Sequence, residues 1–179
     1  MTLWTASARG RWWANLLGNQ VVWVCAVAGS GHGWQWPALL AAGLYVASQL
    51  LTSPRAGTDL HLMLLALGCA IGVDGLAASS GAVQYAASPW GWFPPPWILA
   101  LWASFAMTLT TSLSVLQRHW ALPVVLGLFL APLAYLSAER GFSAVHFASP
   151  MWHGILLLGS TWTVALLLLR ATAMRRASL

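Results

Sequence analysis

LHLMLLALGCAIGVDGLAASSGA, residues 60–82, carries a single charged side chain, Asp74. About 20 apolar residues at ~1.5 Å rise each cross the hydrocarbon core of a bilayer. This stretch has that length, so it reads as a membrane-spanning helix. The breaker SPRAGTD at 53–59 precedes it, and the uncharged aromatic run QYAASPWGWFPPP at 84–96 follows it.

The remainder of the chain has the same character. Apolar residues make up 59% of the 179 and charged residues 6%, far too few to cover a water-soluble surface. Six segments have spanning character: Trp12 to Gly31, Trp34 or Pro37 to Thr52, Leu60 to Ala82, Pro96 to Leu116, Trp120 to Ala138, and Met151 to Arg170. The expected fold class is therefore all-α, a polytopic six-transmembrane-helix bundle forming one domain over residues 1–179. The N-terminus lacks a short apolar core with a small-residue cleavage site, so the first segment reads as a retained span.

Charge sets the orientation. All eight basic residues are Arg. With both ends cytoplasmic, Arg9, Arg11, Arg55, Arg118, Arg170, Arg175 and Arg176 lie inside and only Arg140 outside, beside Glu139. An even number of spans is what places both basic ends on one side. The arginines form no contiguous stripe, which argues against a nucleic-acid partner and for contact with membrane lipids. Without Lys, Schiff-base cofactors are excluded. Cys25 and Cys69 have no CxxC partner and read as reduced packing residues.

Tryptophan marks both interfaces. Trp4, Trp12, Trp13 and Trp120 belong to the inner belt; Trp34, Trp36, Trp90, Trp92, Trp97 and Trp152 belong to the outer one. The 84–96 loop reads as interfacial anchoring or, more sharply, as an outer-leaflet groove for a lipid. The C-terminal RATAMRRASL reads as a short, solvated, mobile basic end.

Ionisable groups within the membrane are costly and point to function by default. Asp74 sits ~21 Å along the third helix, in the outer half of the bilayer. There it must be neutral or held by partners. Gly68 and Gly72 form a GxxxG face, suited to a close helix neighbour, and Asp74 points roughly 100° away from it. In the first span Asn15 and Asn19 lie one turn apart, with Gln20 beside them, along a small and polar stripe. The fourth span has a matching stripe of Ala100, Ser104, Thr108, Thr111 and Ser112, which predicts amide-to-hydroxyl bonds between the two helices. Pro132 lies mid-span in the fifth helix. It should kink the helix and free the carbonyl near Leu128. The candidate intramembrane site is thus Asp74, Asn15, Asn19 and Gln20.

A second candidate site, on the outer face, comprises His32, Glu139, His146 and His153. With Asp74 these could handle protons or bind a metal. No HExxH spacing or paired His on one helical face occurs, so the expectation is no metal and no cofactor. P-loop, GxGxxG and nucleophile-elbow motifs are absent too.

NLLGNQVVWVCAVAGSGHGW (15–34), LGCAIGVDGL (67–76) and APLAYLSAERG (131–141) together resemble a family of small bacterial inner-membrane proteins of unknown function. The resemblance covers Asn15 to about Gly141. It implies an Asn and a Gln in the first span, matching Asn15 and Gln20, and an intramembrane Asp, matching Asp74. The family's fourth span often has an Asn-His pair, where this chain has Thr110 and Thr111. Such genes often neighbour cyclopropane-fatty-acid-synthase-type methyltransferases. The resemblance therefore implies an accessory or scaffold role in lipid modification or envelope maintenance, beside another membrane protein or a lipid-modifying enzyme. A weaker likeness, to rod-shape membrane subunits and to substrate-binding subunits of vitamin uptake systems, implies a small-molecule or lipid binder in a transport complex. An intramembrane enzyme using Asp74 with a histidine is the third reading.

Overall fold

The computed structural model describes residues 2–177, with side chains from 8 to 176. About three quarters of the described residues are helical. The elements run α1 (Thr2–Gly31), α2 (Trp36–Thr52), α3 (Ala56–Ser79), β1 (Val83–Tyr85), α4 (Pro96–Ala106), α5 (Val115–Arg118), α6 (Ala121–Val125), a π turn (Leu126–Leu130), α7 (Ala131–Phe142), β2 (Val145–Phe147) and α8 (Met151–Ala177). α6, the π turn and α7 form one rod.

Among the described residues three helices are long and apolar enough to cross a membrane: Ala56–Ser79, Ala121–Phe142 and Met151–Arg176. Trp36–Thr52 and Pro96–Ala106 are shorter apolar helices. Many large apolar side chains face outward, among them Leu44 at 67%, Phe129 at 66% and Val164 at 67% exposure. Such an exterior fits hydrocarbon and not water. The protein is a mostly helical membrane protein.

The fourth segment departs from expectation. Its helix stops at Ala106, and residues 107–114 run as irregular turns before the short α5. The local sequence MTLTTSLS explains why. Its hydroxyls compete with the backbone for carbonyls: Thr108 donates to Phe105 O (2.6 Å) and Ser114 to Thr111 O (2.8 Å). Backbone bonds tighten to three-residue spacing at Met107, Thr108 and Leu109, and Leu113 N then reaches back five residues to Thr108 O. Apolar surroundings demand partners for every backbone group so released. Asn15 supplies two of them, for Met107 O and Ser112 N.

Pro132 is absorbed differently from the expected simple kink. The π turn widens the helix just ahead of it, and Ala131 N bonds Leu126 O. The turn presses Gly127 against the Thr163 backbone of α8, where any Cβ would collide. Pro132 itself is buried.

At the opposite end from α5, β1 and β2 pair antiparallel, with Gln84 opposite His146. The inward residues are Val83 and Tyr85 on one strand, Val145 and Phe147 on the other. This clasp takes in Gln84 and Tyr85, the first two residues of the stretch read as an interfacial loop. Trp90 and Trp92 remain exposed as interfacial residues would be, whereas Trp97 is buried at 1% and donates to Ala86 O, so it leaves the outer belt. Trp12, Trp13 and Trp120 are exposed; the Trp4 side chain lies outside the described residues. The basic C-terminal end is helical to Ala177, with Arg176 Nη2 3.2 Å from His61 Nδ1, where a mobile tail was expected.

Candidate functional site

Asp74 is fully buried and sits where α3, α4, α7 and β1 meet. Its Oδ1 accepts bonds from the hydroxyls of Tyr85 (2.8 Å) and Tyr135, and its Oδ2 accepts from Trp102 Nε1 (2.7 Å). Trp102 stacks on Trp162 of α8, ring centroids 4.0 Å apart at 18°. Trp162 Nε1 in turn donates to the Tyr135 hydroxyl at 3.4 Å. Burial, reinforced by the neighbouring carboxylate, holds the Tyr85 phenol proton well above its ordinary range, so Tyr85 stays a donor. Both carboxyl oxygens are thus occupied by donors, and among the described residues no histidine bonds them. The arrangement locks four elements together; it does not offer Asp74 to a substrate.

Against this lock lies a cavity of about 470 Å³ between α1, α4, the α6–α7 rod and α8. The Trp102, Tyr135 and Trp162 rings, whose polar tips are engaged in the lock, help wall it, together with Trp23, Trp97 and Phe105. Among the described residues no charged side chain lines it. Its mouth lies between α1 and α7, where the lining residues Gln20, Leu130, Leu133 and Ser137 are exposed to the surroundings of the bundle. Thr108, at the start of the unwound stretch, and Leu113, near its end, close part of the wall.

The structure divides the predicted intramembrane site in three. Asp74 belongs to the lock. Asn15, fully buried, donates to Gln49 Oε1 (2.8 Å) and Met107 O (3.0 Å) and accepts from Ser112 N (3.2 Å) and Ser112 Oγ (2.5 Å). It pins the unwound stretch to α1 and α2. The amide-to-hydroxyl bond expected between the first and fourth segments is therefore present, made by Asn15 and Ser112. Tyr45 lays its ring over Gly18 and donates to Asn15 O (2.9 Å), fixing the same turn. Asn19 and Gln20 line the cavity, each without a hydrogen-bond partner among the described residues.

The outer-face set does not assemble. Glu139 and His146 meet at 3.4 Å, and Glu139 Oε1 also accepts Phe147 N, so this pair fastens β2 to α7. His32 bonds Ala28 O in its own helix, and His153 packs on Trp152. Among the described residues no group of three His, Cys, Asp or Glu could hold a metal ion. The GxxxG face of α3 does not meet a neighbouring helix either: Gly68 and Gly72 are exposed, with open space where a Cβ would be.

Asp59 was missed in the sequence, hidden in the breaker SPRAGTD. It is buried at 3% in the first turn of α3, where it accepts from Ser53 (2.5 Å) and from Thr110 of the unwound stretch (2.5 Å). Its place in a helix's first turn was the available signal. Gln117 and Arg170 complete this polar end. Gln117 bonds Leu109 O (2.9 Å), and Arg170 bonds the carbonyls of Leu116 (3.0 Å) and Gln117 (3.1 Å).

No curated protein and no solved structure matches the chain. A family described as protein of unknown function (DUF2878) matches residues 12–168, and the chain belongs to that family.

Proposed function

We propose that this protein binds a lipid-like molecule in the cavity between α1, α4, α7 and α8, as an integral protein of the bacterial inner membrane. One observation carries the reading: a cavity of about 470 Å³, walled by aromatic rings, that opens sideways between helices. Its volume lies in the range of small-molecule sites. A sideways mouth in a membrane bundle gives onto acyl chains, so its occupant arrives from the bilayer. The proposal includes six crossings: α1, α2, α3, α4 continued through its unwound stretch and α5, the α6–α7 rod, and α8. Both ends face the cytoplasm. The side-chain contacts of Arg170 with α5 and Arg176 with α3 support this arrangement, since they gather basic ends at one pole.

The test is native mass spectrometry of protein purified from membranes. Wild type should retain a defined small molecule that Ala134→Trp, which fills the cavity wall, does not. Equal adducts in both proteins, or none in either, would refute the reading.

The exposed Gly68 and Gly72 favour a second reading, an accessory subunit whose α3 packs on a helix of a lipid-modifying partner. On that reading Gly68→Leu leaves thermal stability unchanged yet abolishes co-purification of the partner; unchanged co-purification would count against it.

A further inference from the structure

The chemistry of the cavity narrows its ligand, on the reading that the cavity is a binding site. Its polar lining is largely self-satisfied. Thr108 donates to Phe105 O, Ser137 to Leu133 O, Trp97 to Ala86 O, and Trp102 and Tyr135 to Asp74. Three side chains break this pattern: Asn19, Gln20 and Trp23 line the cavity and have no hydrogen-bond partner among the described residues. Their spacing of three and four residues puts them on one face of α1. Two amides and an indole N–H together supply five donor hydrogens against two acceptor oxygens, so donors predominate. Leaving such groups unpaired in apolar surroundings is costly.

Counting ~1.5 Å per residue from the interfacial Trp12, Asn19 and Gln20 lie ~11–12 Å into the membrane. Half of the hydrocarbon core is about 15 Å. The donors thus stand near the midplane, beyond reach of a phospholipid headgroup. A charged group brought to that depth would need a counter-charge, and the cavity lining holds none.

We propose that the cavity recognises a neutral amphiphile, an apolar body bearing an uncharged acceptor oxygen such as a carbonyl or hydroxyl, through the donors of Asn19, Gln20 and Trp23. The aromatic walls take the apolar body and the α1 donors take the oxygen. Along α1 the lining runs from Leu16 to Val27, ~16 Å, so an elongated molecule fits better than a compact one.

The experiment uses the full-length protein in phosphatidylcholine vesicles and two brominated probes of equal length, a long-chain ketone and an alkane. Bromine quenching of tryptophan fluorescence reads occupancy, with Ala134→Trp as the background for simple partition into the bilayer. Wild type should hold the ketone about tenfold more tightly than the alkane, as one net hydrogen bond provides. Asn19→Leu, Gln20→Leu and Trp23→Phe, tested singly, should each narrow that preference. Equal affinity for both probes in wild type would overturn the acceptor-oxygen inference and leave the cavity reading standing, and that comparison does not depend on any substituted protein folding. A ketone preference untouched by all three substitutions would overturn the assignment to these donors. Quenching no greater in wild type than in Ala134→Trp, for either probe, would overturn the cavity reading and the inference with it.

Discussion

Asp74 binds side chains drawn from positions 85, 102 and 135, and the energetics of that cluster can be tested one group at a time. Asp74→Leu leaves two phenols and an indole N–H buried without an acceptor. At roughly 1–3 kcal/mol for each unsatisfied group, the loss should be about 3 kcal/mol or more. Asp74→Asn should cost less, about 2 kcal/mol, because the amide oxygen still accepts from Trp102 while the two phenol hydrogens lose their acceptor. Thermal unfolding of the purified protein in detergent checks the ordering; Asn as damaging as Leu would mean that charge, and not bonding, holds the cluster. The sequence made Asp74 legible, since an acid in an apolar helix stands out. Its partners were not legible, because a tyrosine or tryptophan in an apolar run looks like packing until distant elements are placed beside it. Asp59 failed in the opposite way, its burial depending on Thr110, which is far away in the chain.

Two departures from regular helix decide how the elements fit. The unwound stretch 107–114 depends on Asn15, so Asn15→Leu should free Met107 O and Ser112 N and speed amide exchange there, while exchange in α8 stays slow. Unchanged exchange at 107–114 would show that the break is held by its own hydroxyls. The π turn depends on close approach: Gly127→Leu should wedge α8 away and lower stability by about 1–3 kcal/mol, read as a drop in Tm. An unaltered Tm would show that the two backbones are not in contact. The boundaries of the other apolar helices were legible from hydropathy and turn residues to within a few positions, apart from the α1 start and the α8 end. The break was not, because MTLTTSLS is apolar enough to pass as helix and its hydroxyls gain weight only once Asn15 faces them. The β1–β2 clasp left a faint trace in the alternation of VQY and VHF, too short to register alone.

For the molecule as a whole, the hydrophobic exterior was readable from composition; the cavity was not, since it is formed by gaps between helices and not by any motif. The proposed topology predicts that a reporter fused after Leu179 is active in the cytoplasm, whereas one inserted near Gly91 is active outside; the reverse pattern would invert the orientation. The central claim is that a lipid-like molecule enters between α1 and α7. Photo-crosslinking in native membranes tests it most directly, with a photoreactive residue replacing Phe105, already an aromatic of the cavity wall, or Val164 on the exposed face of α8. The account predicts a single dominant adduct mass from position 105 and a mixture mirroring bulk phospholipid from position 164. The same bulk mixture from both positions would contradict it.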